Sequence, residues 1–243
     1  MMLFSGKKNR SRTDRRARDL DREAILTDAS PWPVREAYRA LRTNIIFSLP
    51  GKEGKVIAVT SSGRGEGKST NCLNTAISFG QLDKKVIVLD CDMRLPTIAA
   101  RLSMRSAPGL SDYLAGQAEL SKIVRRSRNA PVDVIPAGNI PPDPTLLLQS
   151  KQLGTLIMGL RKVYDYIFID LPPVTTVTDA ALFAAYADGY LLIVKHQCTE
   201  FDGVDDMLEQ LRFANAHIIG FIYADAEVES KKYYRHYYYK KES

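Results

Sequence analysis

The sequence predicts a three-layer α/β/α fold with a mainly parallel central sheet. Short, continuous apolar segments of strand length alternate with helical segments, which is typical of a parallel sheet covered on both faces. A glycine-rich turn separates one of these strands from the helix that follows it. Aspartates come directly after two other strands, and the carboxyl ends of parallel strands converge on one edge of a sheet.

The first predicted element is a helix over 34–49, which the chain enters through Pro31 and Pro33. Its apolar side chains recur at helical spacing and form one stripe, at Tyr38, Leu41, Ile45 and Leu49. Apolar runs predict six strands, at 55–60, 85–89, 132–135, 166–169, 190–194 and 218–223. The intervening segments predict helices at 68–82, around 109–116, and at 145–163, 179–186 and 201–214.

Composition restricts the class of protein. Of the 243 residues, 45% are apolar and 26% are charged, which argues against a wholly disordered chain. Cys72, Cys91 and Cys198 are isolated and lack metal-ligand spacing, so we expect free thiols in a reducing cytosol. No apolar run reaches the roughly 18 residues that a membrane span needs. Basic residues from Lys7 onward leave no room for a secretory signal core.

The net charge of +6 is unevenly distributed along the chain. Residues 1–22 contribute +5 and residues 231–243 contribute +4, which leaves −3 for the rest. We therefore expect a basic, disordered segment at 1–30, one domain at 31–226 and a flexible tail at 227–243. The basic ends suit acidic partners or an anionic lipid surface. Because the body shows no basic face, we expect no nucleic-acid partner.

The glycine-rich turn has the spacing of a Walker A phosphate-binding loop, with a serine in place of the usual first glycine. Its residues are Ser62, Gly63, Arg64, Gly65, Glu66, Gly67, Lys68, Ser69 and Thr70. The glycines allow backbone N–H groups to close around phosphates, and the start of the following helix adds partial positive charge. In this pattern Lys68 reaches the β- and γ-phosphates and Ser69 ligates Mg²⁺. The alternative interpretation of the segment is a flexible glycine-rich turn that binds no ligand.

Carboxylates follow the second and fourth predicted strands. Asp90 and Asp92 come after the second strand, and Asp170 comes after the fourth. At the switch point of a parallel sheet these side chains are expected to face the same nucleotide. Oxygen ligands suit Mg²⁺, so we expect Ser69, Asp90 and Asp170 near the metal. Capping or solubility at strand ends would explain one such aspartate, but not three beside a phosphate-binding loop.

These motifs together resemble those of the bacterial tyrosine kinases of capsule and exopolysaccharide synthesis, in the form without a fused membrane segment. The similarity covers roughly residues 30–243. Four segments match the family: SSGRGEGKST at 61–70 as Walker A, VIVLDCDMR at 86–94 as Walker A′, YIFIDLPP at 166–173 as Walker B, and KKYYRHYYYKK at 231–241 as the C-terminal tyrosine cluster. Flanking segments that look like the family include GLSDYLAG at 109–116, PAGNIPPDPTLLLQS at 136–150 and VTDA at 177–180.

The resemblance implies an ATP-dependent autokinase that phosphorylates tail tyrosines of a neighbouring subunit, with ATP and Mg²⁺ as cofactors. Lys68 would hold phosphates, and Asp170 would support the metal, through water. Asp90 and Asp92 would help to bind the metal and would orient or deprotonate the incoming tyrosine, whose hydroxyl has a pKa near 10 in water. Either of the two could be the base. Arg94 would stabilise the charge that develops on the phosphate, or it would pair with an aspartate.

The resemblance also implies an assembly, a phosphoacceptor segment and partners. ExxRxxR, at Glu36, Arg39 and Arg42, matches the family's oligomerisation motif, although a solvated helix face is the alternative. The expected phosphoacceptors lie within seven residues of one another, at Tyr233, Tyr234, Tyr237, Tyr238 and Tyr239. We expect a homo-oligomeric ring, a separate membrane adaptor of the polysaccharide co-polymerase type and a phosphotyrosine phosphatase. The kinase would be cytoplasmic and recruited to the inner face of the membrane by the adaptor.

Three positions depart from the family pattern. Arg64 stands where proline is usual, Leu95 where a second basic residue often follows, and Ala224 where related P-loop proteins often carry an asparagine that contacts adenine. A MinD-like or ParA-like ATPase, which acts as a nucleotide switch, is the main alternative. Those proteins carry an additional lysine at the position of Gly63 and lack a tyrosine-rich tail. An inactive nucleotide-binding partner is the second alternative.

Overall fold

A seven-stranded sheet organises the chain in the computed structural model, which describes residues 25–51, 54–176 and 179–225. The strands are β1 (Lys55–Ser61), β2 (Val86–Asp90), β3 (Arg125–Arg126), β4 (Asp133–Ile135), β5 (Tyr166–Asp170), β6 (Gly189–Lys195) and β7 (Ile218–Ala224). The α-helices are α1 (Trp32–Ser48), α2 (Lys68–Gly80), α3 (Ile98–Arg101), α4 (Leu110–Leu114), α5 (Leu120–Ile123), α6 (Pro144–Leu148), α7 (Lys151–Arg161), α8 (Asp179–Leu182) and α9 (Phe201–Phe213). A 3₁₀ turn spans Phe183–Ala185.

The strand order is β3-β4-β2-β5-β1-β6-β7, and all neighbours are parallel except the short pair β3–β4. The central strand β5 lies between β1 and β2, so the carboxyl ends of these three strands meet at one edge. In this register Asp90 of β2 lies directly beside Asp170 of β5. The predicted mainly parallel α/β/α fold is therefore confirmed.

Apolar side chains fill both faces of the sheet. In β1, Ile57 and Val59 belong to the apolar cluster under α1 and α2, whereas Val56 and Ala58 belong to the cluster under α7 and α9. This alternation follows from the two-residue period of a strand. Both faces are covered by helices, and the strands accordingly contain continuous apolar runs rather than an alternating pattern.

One expected helix is divided in the structure, and one short strand was not expected. The single helix predicted over 145–163 is divided into α6 and α7, because Ser150 has an extended backbone with ψ of 145° and forms the N-cap of α7. Serine favours such capping positions over helix interiors. The antiparallel strand β3 was not predicted, since its two arginines carry no apolar pattern.

The entry to α1 corrects part of the predicted domain organisation. Residues 1–30 were expected to be disordered, but Leu26 is buried and its backbone N–H donates to Asn74 Oδ1 on α2 at 2.8 Å. The reason is that the run of basic residues ends at Arg22, and an apolar residue that packs on the core follows it. Residues 1–24 and the tail 227–243 lie outside the described residues. Over the described ranges, no helix combines the length and the hydropathy needed to cross a membrane.

We expect that Phe79→Ala lowers the free energy of unfolding by about 3–5 kcal/mol, measured by urea denaturation. Phe79 is fully buried on α2, and its ring centroid lies 4.2 Å from that of Tyr166 and 5.5 Å from that of Phe168. Truncation removes this packing and leaves a cavity between α2 and the sheet. Phe47→Ala is the matched control, because Phe47 is 81% exposed and its loss should change stability by less than about 0.5 kcal/mol.

Candidate functional site

The predicted phosphate-binding loop connects β1 to α2 at the carboxyl edge of the sheet. Gly65 and Gly67 both have left-handed backbones, with φ of 78° and 90°. A side chain at Gly67 would also be only 3.2 Å from the Asn71 amide nitrogen. The left-handed backbone therefore favours glycine at both positions, and the close approach to Asn71 adds to this preference at Gly67. The helix α2 begins at Lys68, so its first N–H groups point toward the loop.

Glu66 turns its carboxylate into the protein and fixes the shape of this loop. It accepts hydrogen bonds from the Ser62 hydroxyl at 2.9 Å, the Gly63 N–H at 2.9 Å and the Thr199 hydroxyl at 2.7 Å. Burial alone would raise the pKa of Glu66, but these hydrogen bonds outweigh burial and lower it. Glu66 thus ties the loop to the segment between β6 and α9, and its function is structural.

Asp90 and Asp170 form a buried carboxylate pair at the ends of neighbouring strands. Both are fully buried, and Asp90 Oδ1 and both Asp170 carboxylate oxygens accept no hydrogen bond of ordinary geometry. Burial and the nearby Asp170 carboxylate raise the pKa of Asp90 well above its usual range. Burial raises the pKa of Asp170 to about 6, although the Lys68 ammonium and the nearby Ser69 hydroxyl oppose the rise.

Asp92 and Lys68 complete this group. The Lys68 ammonium lies 4.0 Å from Asp92 Oδ2, and both side chains are 8% exposed. Asp92 Oδ1 accepts a hydrogen bond from the Leu95 N–H at 3.1 Å, which fixes the carboxylate at the start of the loop after β2. The Lys68 ammonium therefore acts on the carboxylates of Asp92 and Asp170, and Asp170 lies directly beside Asp90.

Arg94 pairs with an aspartate, which was one of the two alternatives predicted for it. Its Nε donates to Asp179 Oδ2 at 3.1 Å, and its Nη2 donates to the Thr145 hydroxyl at 3.1 Å. The Arg94 side chain nevertheless remains 37% exposed. It lines the same cleft as Lys68.

The cleft opens over the phosphate-binding loop and has a volume of about 180 Å³. This is below the roughly 300–1,000 Å³ of sites that enclose a whole small molecule, so it fits the phosphate end of a nucleotide. Its walls come from four segments: Arg64, Gly65, Gly67, Lys68 and Ser69; Asp92, Arg94 and Leu95; Thr97 and Arg101; and Pro172, Pro173 and Thr176. Ser62, Gly63, Glu66 and Thr70 do not line the cleft. Ser62 and Gly63 instead donate to the Glu66 carboxylate.

The donor set fits a magnesium-bound nucleotide. Within the described ranges no group of three His, Cys, Asp or Glu side chains is arranged to hold a metal by itself. Mg²⁺ in phosphate-binding sites needs only one or two protein oxygens, because phosphate oxygens and water complete its shell. The unpartnered oxygens of Asp90 and Asp170 are suited to this arrangement, directly or through water.

The residues of the predicted oligomerisation motif lie apart from the cleft, on α1. Arg39 pairs with Glu36 at 3.5 Å along the exposed face of the helix. Arg42 instead donates to the Ser78 carbonyl of α2 within the same chain. Ala224 ends the outer strand β7 and is buried, and its methyl group offers no hydrogen bond to a base.

Several residues of the site were not predicted. Thr97 and Arg101 line the cleft from the region of α3, which had no predicted element. Asp179 and Thr145 lie within two of the family-like flanking segments, which was the available signal for them. Thr199 reaches Glu66 across 133 residues of sequence, and no local pattern indicates such a contact.

The fold and the loop define a P-loop nucleotide-binding protein, and a family model described as an AAA domain matches residues 54–219. The tyrosine-protein kinase CpsD of Streptococcus agalactiae is 36% identical over 188 residues, which are 77% of this chain and 81% of that protein. The tyrosine-protein kinase YwqD of Bacillus subtilis is 33% identical over 202 residues, or 83% of this chain and 85% of that protein. The chain belongs to the family of bacterial tyrosine-protein kinases that these relatives represent.

Solved structures agree with this assignment. The chimerical protein CapA2B2 has a TM-score of 0.78 at 30% identity and covers 83% of this chain, with 88% of its own chain matched. The kinase domain of the Escherichia coli tyrosine kinase ETK has a TM-score of 0.75 at 29% identity, covering 80% and 78%. MinD of Pyrococcus horikoshii, at a TM-score of 0.60 and 24% identity over 72% of each chain, shares the fold alone. The enzyme class of the chain is protein-tyrosine kinase.

We expect that Glu66→Gln lowers the free energy of unfolding by about 1–3 kcal/mol at pH 7, because an amide cannot accept all the hydrogen bonds that Glu66 accepts. Because the pKa of Glu66 is lowered in the folded state, the ionised carboxylate stabilises the fold fully above about pH 4.5. This stabilisation is lost as the pH falls through the folded-state pKa. The difference between wild type and Glu66→Gln should therefore shrink between pH 7 and pH 3.5 in urea titrations. Glu36→Gln, on an exposed face, is the control. A difference that is equal at both pH values would contradict the assigned role.

Proposed function

We propose that the protein is an ATP-dependent autokinase that phosphorylates the C-terminal tyrosine cluster of a neighbouring subunit. The observation that carries this proposal is the buried carboxylate pair of Asp90 and Asp170, in which three of the four oxygens accept no hydrogen bond. The pair lies at the carboxyl edge of the sheet, next to a phosphate-sized cleft that Lys68 lines. The metal cation of a bound nucleotide would offset the negative charge of these carboxylates. The five tail tyrosines supply the acceptor hydroxyls.

The proposed roles follow from chemistry and position. The loop residues that line the cleft hold the phosphates, and Lys68 and Arg94 offset the charge that develops on the transferred group. Ser69, Asp90 and Asp170 would hold Mg²⁺, which when bound orients the phosphate oxygens and screens their charge.

The proton acceptor for the tyrosine hydroxyl is Asp90 or Asp92. Asp92 lines the cleft, whereas Asp90 does not line it and is fully buried. This difference favours Asp92 as the group that orients the hydroxyl. Asp90 then acts behind it, on the metal side.

Charge favours delivery of the tail to such a site. Residues 231–243 carry +4, while the part of the chain between the basic ends carries −3. Attraction between them raises the local concentration of tyrosines near a neighbouring subunit. We propose that this neighbour is held through Glu36, Arg39 and Arg42 in a ring, with the exposed Glu36 and Arg39 making the contact and Arg42 bracing α1 against α2.

The biological setting is proposed from the family. Relatives are named CpsD and CapB, and one matching structure is the chimera CapA2B2. We propose that the kinase regulates the synthesis and export of a capsular or extracellular polysaccharide. It would be cytoplasmic, held at the inner face of the membrane by a separate adaptor of the polysaccharide co-polymerase type and reset by a phosphotyrosine phosphatase. We expect no nucleic acid among its partners.

A mixing experiment tests the autokinase and the direction of transfer together. A Lys68→Met variant keeps the tail but loses the phosphate-binding ammonium, whereas a variant with all five tail tyrosines changed to phenylalanine keeps the site but loses the acceptors. Neither variant alone should form tail phosphotyrosine with Mg-ATP. Their mixture should form it on the Lys68→Met chain, as mass spectrometry of the tail peptide would show.

The same assay separates the alternatives. Release of free phosphate by the wild type without phosphotyrosine would indicate a MinD-like switch ATPase and overturn the kinase proposal. Neither product would indicate an inactive nucleotide binder. Phosphotyrosine in the wild type but none in the mixture would exclude transfer between subunits.

A further inference from the structure

We propose that Asp179 and Thr145 are positioning residues that hold the Arg94 guanidinium toward the phosphates of the bound nucleotide. The inference rests on the proposed kinase function, because it assigns a task to side chains behind the cleft of that site. Neither residue lines the cleft itself. They would act only through Arg94.

The three side chains form a closed triangle of hydrogen bonds. Asp179 Oδ2 accepts from Arg94 Nε at 3.1 Å, and Asp179 Oδ1 accepts from the Thr145 hydroxyl at 2.6 Å. The Thr145 oxygen in turn accepts from Arg94 Nη2 at 3.1 Å. Both Asp179 oxygens are thus used by partners within the triangle. The arrangement fixes the side edge of the guanidinium plane at two points.

The edge that remains is the one suited to a phosphate. The Nε and Nη2 side of the guanidinium faces Asp179 and Thr145, while Nη1 makes no hydrogen bond to any part of the chain that the structure describes. The terminal edge, formed by Nη1 and Nη2, carries the remaining N–H groups. Two parallel N–H donors match the spacing of phosphate oxygens. Arg94 lines the cleft together with Lys68 and Ser69, so this edge stands in the same space as the phosphate-binding loop.

Burial explains why Asp179 is suited to this task. Its side chain is 1% exposed, whereas Arg94 is 37% exposed. A buried carboxylate requires a compensating cation, and Arg94 supplies it. The exposed end of a long side chain would otherwise sample many rotamers, and its ordering would have to occur when the nucleotide binds. Folding has already ordered it here, which is the preorganisation that electrostatic catalysis requires.

The triangle also joins three separate segments. Arg94 follows β2, Thr145 lies in α6 and Asp179 is the first residue of α8. A structural role, in which the ion pair merely holds α6 and α8 together, is the competing explanation. The two roles differ in what a variant does to the rate constant of a folded enzyme.

The experiment measures kcat and the KM for ATP in the full chain, with phosphotyrosine as the product. Asp179→Asn should lower kcat at least tenfold and change the KM for ATP less than threefold, because the lost interaction acts on charge that develops during transfer. Thr145→Val should lower kcat several-fold. Thr145→Ser, which keeps the hydroxyl, should restore the wild-type rate. If Asp179→Asn does not fold, the Thr145 pair carries the test alone.

A double variant decides whether Asp179 acts through Arg94. In an Arg94→Lys background, which keeps the charge but loses the fixed edge, Asp179→Asn should lower kcat less than twofold further. If Asp179→Asn lowered kcat by the same factor in the wild-type and Arg94→Lys backgrounds, the inference would be overturned. It would also be overturned if Asp179→Asn lowered only the thermal stability and left kcat unchanged. A wild type that forms no phosphotyrosine would instead overturn the proposed function, which keeps the two failures distinct.

Discussion

Two carboxylates lie side by side at the carboxyl edge of the sheet without hydrogen-bond partners on three of their four oxygens. The parallel register of β2 and β5 makes this contact unavoidable, because Asp90 and Asp170 are paired residues on neighbouring strands. Buried negative charge of this kind destabilises a fold unless something binds to it. The phosphate-binding loop and the Lys68 ammonium lie next to this pair, at the same edge of the sheet. Under the proposed function, the metal of a bound nucleotide would compensate this charge.

The groups around this pair are fixed before any ligand arrives. Glu66 holds the loop from behind, and Asp179 with Thr145 holds Arg94 from the side. In both cases a buried carboxylate, that of Glu66 or of Asp179, orients a more exposed group. Catalysis of phosphoryl transfer depends mainly on alignment and charge stabilisation, so a rigid surrounding of this type is what the reaction needs.

The sequence predicted the parts of the site that depend on short-range spacing. The loop, Lys68 and the aspartates at the strand ends follow from motif and strand order, since a parallel sheet brings its carboxyl ends together. The Arg94–Asp179 pair joins residues 85 positions apart, and the Thr199–Glu66 contact joins residues 133 apart, so neither follows from a local pattern. The break at Ser150 was missed for a related reason, because the apolar period continues across it and only the capping geometry divides the helix.

The most direct test compares the stability of wild type and Asp170→Asn at pH 8, with and without saturating Mg-ADP. The pKa of Asp170 is raised from 3.8 to about 6, so its charge destabilises the fold above pH 6, and the penalty is lost as the pH falls toward 3.8. Without nucleotide, Asp170→Asn should be more stable by up to about 3 kcal/mol. Mg-ADP should stabilise the wild type more than Asp170→Asn and so remove the difference in stability between them. Asp205→Asn, which changes an exposed residue, is the control and should behave like the wild type with and without Mg-ADP. An Asp170→Asn variant that is less stable without nucleotide, or that gains as much from Mg-ADP as the wild type, would contradict the account.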